Sequence, residues 1–302
     1  MTQPVVAVAG ASGDLGARIV RALAARGAQV RALVRPAAAE AEVARMAALG
    51  ATPVRADPAN QVALADAVTG AACVVSALNG LRDVIVERQG VLLNAAVRAG
   101  VPRFIPSDFA ADFTRTRPGE NRNFDLRREF MARADRAPIR VTSILNGAFM
   151  DMLGREMPVI QPGIRRVLYW GSAEQPLDFT AKDDVAAYTA AAALDDDAPR
   201  ILRIAGQSLS ARELAAVMTG FSGERYRTLW VGSIGSLGAM IRLARLFAPG
   251  DDEVFPPWQG MQYSRDMFSG RGKLHPLDNG RYPGLRWTTV RDLFTARREQ
   301  EG

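Results

Sequence analysis

Glycines stand at positions 10, 13 and 16, directly after the apolar run Val5–Ala9, in the stretch Gly10-Ala-Ser-Gly13-Asp-Leu-Gly16. A residue without a Cβ reaches positive φ at little cost and lets another group come close to the backbone. Several N–H groups can then turn toward one point. If a helix opens at that turn, its unbonded N–H groups and its positive end also draw an anion. The chemistry this suits is a pyrophosphate, surrounded by Gly10, Ser12, Gly13, Asp14, Leu15 and Gly16. Gly16 would let the helix lie close against the strand before it. A dinucleotide is therefore the expected ligand.

The second apolar run, Gln29–Val34, decides which dinucleotide. A strand that serves NAD usually ends in an acid, about 20 residues past the glycines, to bind the ribose 2′-hydroxyl. Here the run ends Leu33-Val34-Arg35-Pro36, and the first acid after it is Glu40. A guanidinium at Arg35 pairs with a 2′-phosphate instead, so the expected cofactor is NADP(H). Asp57 closes the third run, where it either reaches the adenine end or caps a turn. Ser76, Ala77 and Asn79 follow the fourth run and Pro106, Ser107 and Asp108 the fifth, at strand ends that face a cofactor in this kind of sheet. Asn146, Gly147 and Phe149 follow the sixth.

These residues need a scaffold that brings many strand ends to one edge. Short apolar runs at 5–9, 29–34, 52–56, 72–77, 103–105 and 140–145 alternate with helical patterns at 15–26, 37–49, 62–68, 83–99 and 122–134. Such alternation implies a parallel sheet covered on both faces, with ligands at the carboxyl ends of its strands. The fold class is α/β, a Rossmann-type doubly wound parallel sheet with a smaller, interleaved C-terminal substrate lobe. The rhythm breaks after Met150. The expected division is a cofactor-binding domain over 1–155, with 178–206 returning to it, and a substrate lobe over 156–302. Within the later part, Thr180 is the expected cap of a helix from Lys182, 200–205 a strand, and Ser210 the cap of a helix to Thr219.

Composition removes other classes. With one histidine, His275, and one cysteine, Cys73, neither a disulfide framework nor a cysteine- or histidine-rich metal site can be built, and no metal is expected. No G-x-S-x-G elbow supports a hydrolase. The formal net charge is +6, but the arginines are scattered, so no nucleic-acid surface is expected. The longest uncharged stretch of the C-terminal half, 228–241, is interrupted by glycine and is shorter than the roughly 18–20 apolar residues a bilayer requires. No secretory leader is recognisable. The expectation is a cytoplasmic protein with no membrane partner. Cys73 reads as a buried, inert thiol. Met150, Met152, Phe247, Phe255, Trp258 and Phe268 read either as an aromatic pocket or as core, and His275 as a loop residue that titrates in a useful range.

The wide G-x-x-G-x-x-G spacing is typical of short-chain dehydrogenase/reductase relatives. Together with Val75-Ser-Ala-Leu78, Arg103-Phe-Ile-Pro-Ser-Asp-Phe109, Phe124-Asp-Leu-Arg127, Asn146-Gly-Ala-Phe149 and Tyr282-Pro-Gly-Leu-Arg-Trp-Thr-Thr-Val290, it resembles the NmrA-like, isoflavone reductase-like group of atypical members. The group includes phenylcoumaran benzylic ether and pinoresinol–lariciresinol reductases. The resemblance implies an NADPH-binding domain, a smaller substrate lobe, and reduction of a small aromatic substrate. The group lacks the Tyr-x-x-x-Lys pair of ordinary short-chain dehydrogenases, and no tyrosine here has a lysine four residues on. In the plant reductases a lysine on the helix after the Pro-Ser-Glu-Phe motif acts as general base toward the substrate phenol. The matching residue here is Arg127. A guanidinium stays protonated and cannot take that proton, although it can hold a phenolate or polarise a carbonyl oxygen. Two readings follow: a reductase with Arg127 in an electrostatic role, or a non-catalytic NADP(H) sensor of the NmrA type with a protein partner.

Overall fold

The computed structural model describes residues 3–301. Its chain condenses into two compact units that exchange segments. Unit 1 comprises residues up to Phe109, Leu126–Ile144 and Val185–Leu202; unit 2 comprises Ala110–Asp125, Leu145–Asp184 and the chain from Arg203 onward.

Unit 1 starts with β1 (Val5–Ala9), α1 (Asp14–Ala25), β2 (Gln29–Val34), α2 (Glu40–Ala48), β3 (Ala51–Arg55), α3 (Gln61–Val68) and β4 (Cys73–Ser76). A π-helical turn over Asp83–Arg88 leads into α4 (Gln89–Arg98), followed by β5 (Arg103–Ile105), most of α5 (Arg122–Ala134) and β6 (Arg140–Val141). The six strands form one sheet in the order β3-β2-β1-β4-β5-β6, and every pair is parallel. This is the doubly wound order, and its reversal beside β1 lies between the carboxyl ends of β1 and β4. The strands are apolar on both faces because helices cover both. One face packs Ala7, Val74 and Phe104 against Leu92, Leu93 and Phe130.

The apolar run at 140–145 is not one strand. After β6 it leaves the sheet, and β7 (Ser143–Leu145) pairs with a different strand, β12 (Ile201–Arg203), in a two-stranded sheet. The segment expected to return to the main sheet thus extends a side ladder. Between them, α6 (Lys182–Ala193) closes on an arginine supplied by β5. Arg103 is almost fully buried. Its guanidinium donates to the Ala192 carbonyl at 2.9 Å and also to the carbonyls of Ala193 and Asp195. One side chain thereby satisfies carbonyls that a helix end leaves open.

Unit 2 holds two three-stranded sheets. One is formed by β8 (Ala148–Phe149), β11 (Leu177–Thr180) and β13 (Gln207–Leu209); the other by β9 (Ile160–Gln161), β10 (Arg166–Trp170) and β14 (Arg227–Gly232). Helices α7 (Ala211–Ser222), α8 (Ile234–Phe247), α9 (Pro257–Phe268) and α10 (Val290–Glu301) complete it. Ser210 and Glu213 make a full capping box at α7, as the sequence reading expects of Ser210. Just before α6, the Thr180 hydroxyl donates to the Asn146 carbonyl and accepts from the Gly206 amide, and Asp151 accepts from the Lys182 amide at 2.8 Å. The motif at 282–290 is an anchor for this unit: Asp184 accepts from the Thr288 amide and hydroxyl, and Gln207 accepts from the Val290 amide. No helix of the described residues is long and apolar enough to cross a membrane.

Replacing Arg103 with Met should lower unfolding stability by about 2–3 kcal/mol, since a charged donor is lost from several carbonyls at once. Urea denaturation of native and R103M protein checks this; equal midpoints would show that water can replace the guanidinium.

Candidate functional site

The glycine turn is set by backbone contacts. Gly10 has φ of +74°, and a Cβ there would stand 2.6 Å from the Ala77 carbonyl oxygen. At Gly16 a Cβ would run into the Gly10 carbonyl and the Ala11 Cα. The turn is closed by Gly13 N–H donating to Gly10 O at 3.1 Å. Gly13 is the N-cap of α1 and has no side chain to cap it. The opening amides of the helix therefore have no N-cap side chain to accept from them. Asp14 itself pairs with Arg18 one turn on, at 2.8 Å.

Around this turn the basic side chains gather. Arg45, from α2, donates to the Ser12 carbonyl at 2.7 Å. Arg45, Arg18 and Arg21 line an open depression together with Ser12, Gly13, Asp14 and Ala17. Arg35 sits exposed just past β2. Sequence reasoning singled out Arg35 but missed Arg45. In a chain so rich in arginine no spacing marks Arg45, and only the packing of α2 brings it to the turn. Asp57 behaves as a turn residue, with Oδ1 accepting from the Ala59 amide at 2.9 Å.

At the end of β4, Ser76 is fully buried and its hydroxyl has no hydrogen-bond partner among the described residues. Ala77 and Leu78 are half-buried and Asn79 is exposed. Ser107, after β5 and Pro106, ties this edge together: its hydroxyl donates to Leu78 O at 2.6 Å, and its amide donates to Gln89 Oε1 at 2.9 Å. Unit 1 thus brings the turn, Ser76, Ala77 and Ser107 to neighbouring strand ends. Cys73, in β4, is fully buried, and burial pushes its thiol up to about 12, which leaves no thiolate for chemistry.

Asp108, expected with Pro106 and Ser107 at a strand end that faces the cofactor, has unusual surroundings. The carboxyl is fully buried. Its Oδ2 accepts from Ser143 Oγ at 2.6 Å, and Ser143 Oγ in turn accepts from Arg200 Nη1 at 2.8 Å. Its Oδ1 has no hydrogen-bond partner among the described residues. Burial raises its proton affinity above that of an ordinary aspartate, and the nearby charge of Asp135 adds to this; the Ser143 hydrogen bond and the charges of Arg127 and Arg200 oppose it without cancelling it. The charge of Arg127, half-buried on α5, thus bears on a carboxyl three residues past the end of β5.

The remaining expected residues belong to unit 2. Asn146 is fully buried, and neither end of its carboxamide is hydrogen-bonded among the described residues. Gly147 has φ of +69°, and a Cβ there would strike the Asp178 backbone. The Phe149 ring lies 5.8 Å from the Lys182 ammonium. Met150, Trp258 and Phe268 are core, whereas Phe247 and Phe255 are exposed. His275 is exposed.

The model of the NmrA-like family matches residues 2–233. The chain belongs to the NmrA-like family. The isoflavone reductase homolog IRL of Zea mays is 31% identical over 241 residues, which cover 75% of this chain and 77% of that protein. Pinoresinol reductase 1 of Arabidopsis thaliana is 31% identical over 201 residues, covering 61% of this chain; the match spans 63% of that reductase's length. Among solved structures, AtPrR2 with NADP+ and (+)pinoresinol superposes with a TM-score of 0.81 at 23% identity, covering 98% of this chain and 99% of that one. An isoflavone reductase superposes with a TM-score of 0.82 at 20% identity, covering 98% and 100%. At these identities the structural likenesses establish the shared fold, a Rossmann-type sheet.

The Asp108 surroundings fix the sign of a pH effect. Its proton affinity is raised in the folded state, so the native protein loses stability as pH climbs from the ordinary aspartate range, near about 4, through the raised folded value. Asp108→Asn removes that titration while keeping an oxygen for Ser143. The variant should gain on the native protein across this window, as read by denaturation midpoints between pH 4 and 8. A constant difference across it would contradict the assignment.

Proposed function

We propose that this NmrA-like protein is an NADPH-dependent reductase that transfers hydride to a small aromatic, phenolic or similarly apolar substrate. The observation that carries the reading is the backbone cradle at Gly10–Gly16. Its backbone segments pack so closely that no Cβ fits at Gly10 or Gly16, and the N-cap of α1 offers its helix N–H groups no side chain. A pyrophosphate suits such a helix start. Arg35 and Arg45 are the cations for a 2′-phosphate, and the unbonded Ser76 hydroxyl suits a ribose or nicotinamide polar group. The relatives named as reductases, and the neighbour described with NADP+, support the same reading.

When bound, NADPH supplies a hydride. The protein's part is then to stabilise the electron pair pushed onto a substrate oxygen as hydride adds to carbon. Arg127 fits this role through its charge, because a guanidinium holds its protons at neutral pH. The family lysine's work as a base is not open to it. That same substitution favours a second reading, an NADP(H) sensor that binds the cofactor without turnover.

Absorbance of NADPH should fall when the protein meets some member of a phenolic and quinonoid panel. R127Q should then lower kcat about 100-fold, the scale of losing one transition-state charge partner. Tight NADPH binding with no oxidation across the panel would favour the sensor. Arg35→Asp should weaken NADPH binding about 10- to 100-fold, as expected for a lost charge-assisted pair, and weaken NADH binding much less. Equal losses for both cofactors would remove the assignment of Arg35.

A further inference from the structure

Helix α8 is apolar on two sides. A helix that covers a core needs one apolar stripe, and Leu237 and Ile241 supply it. Both are buried, and α8 packs on α9. The opposite side carries Ser236, Met240, Leu243 and Phe247, at i, i+4, i+7 and i+11, with Leu246 beside them. Met240 is 43% exposed, Leu243 57%, Leu246 74% and Phe247 78%. A run of large apolar side chains this open marks a surface that another surface covers. The 4-3-4 spacing is the seam of two helices that pack along each other. The charges of the helix, Arg242 and Arg245, lie off that seam, and the Arg245 guanidinium stacks on the Trp258 ring at 4.8 Å.

The seam fits itself when turned end for end. Phe247 then stands opposite the partner's Ser236, and Met240 opposite the partner's Leu243, so the largest side chain meets the smallest. The Ser236 hydroxyl donates to the Ser233 carbonyl at 2.8 Å within its own chain, so covering it strands no donor. Charge is complementary in the same orientation. Exposed Asp251, Asp252 and Glu253 follow the C-terminal end of α8 and come beside the positive N-terminal end of the partner's helix. A lipid surface fits less well, because that acidic run repels anionic headgroups and Arg245 is engaged with Trp258.

We propose that the outer face of α8 pairs with the same face of a second copy of this chain, antiparallel about a two-fold axis between Met240 and Leu243. The pairing rests on neither the reductase nor the sensor reading. A helix of 14 residues is about 21 Å long. A contact of that length falls short of the roughly 800 Å² per partner of a standard stable interface. The dimer is therefore reversible, with a Kd on the order of 10 µM.

The test is sedimentation equilibrium of the intact protein at loadings on either side of that Kd. A monomer–dimer equilibrium is expected. L243E, which puts a charge into the seam, should weaken it at least about tenfold. F247A should also weaken it and covers the case in which L243E does not fold. R242Q, off the seam, should leave it unchanged. Orientation is read by disulfide formation: M240C mixed with L243C should crosslink faster than either variant alone, and Cys73, fully buried, does not compete. A monomer at every loading overturns the proposal, as does a dimer untouched by L243E and F247A or weakened as much by R242Q. Crosslinking of either variant alone as fast as the mixture also overturns it. So does capture by vesicles of phosphatidylcholine and phosphatidylserine that L243E abolishes while the native protein stays monomeric in solution.

Discussion

Three stretches of backbone meet at the start of this chain with no room for a side chain between them. The Ala77 carbonyl stands where a Cβ of Gly10 would be, and the Gly10 carbonyl stands where a Cβ of Gly16 would be. The end of β1, the first turn of α1 and the exit from β4 are thus held in mutual contact. Much of unit 1's chemistry depends on that closeness. It sets the start of α1, whose N-cap glycine has no capping side chain, beside the ends of β1 and β4, where Ser76 is buried. Through Leu78 it reaches Ser107, whose two hydrogen bonds link the exits of β4 and β5 to α4. Within the turn itself helix polarity favours an anion, since its one charged residue, Asp14, pairs with Arg18.

Charge is distributed around this cradle in two different ways. On the side of α2, arginines are partly exposed and attract an anion through solvent, where salt weakens them. On the side of α5, the charge of Arg127 opposes the rise in proton affinity that burial gives Asp108. The first arrangement suits binding a phosphate. The second suits stabilising charge that appears only during a reaction, because a low-dielectric surrounding strengthens it. An arginine can serve the second purpose although it cannot act as a base.

Much of this was legible in the residues. The glycine spacing, placed between an apolar run and an amphipathic one, located the turn. The alternation of runs pointed to the parallel sheet, and Ser210 marked a helix start. What was hidden depended on contacts between distant segments. Residues 140–145 look like one strand, because apolar patterning cannot show that the chain changes sheets after Val141. Thr180 marks the approach to α6, but only the fold shows that Asp151, from far along the chain, accepts from its first amide. Arg45 and Asp108 are ordinary in sequence. One becomes notable by the position of α2, and the other by full burial beside Ser143, and neither property is written in local composition.

The central claim is that the amides at the opening of α1 receive a pyrophosphate. Backbone amide chemical shifts, followed by NMR while NADPH is added to the intact protein, test it most directly. The account predicts that the largest changes fall on residues 11–16 and saturate together with smaller ones at Ser76 and Ala77. Saturable NADPH binding that leaves residues 11–16 unmoved would contradict it.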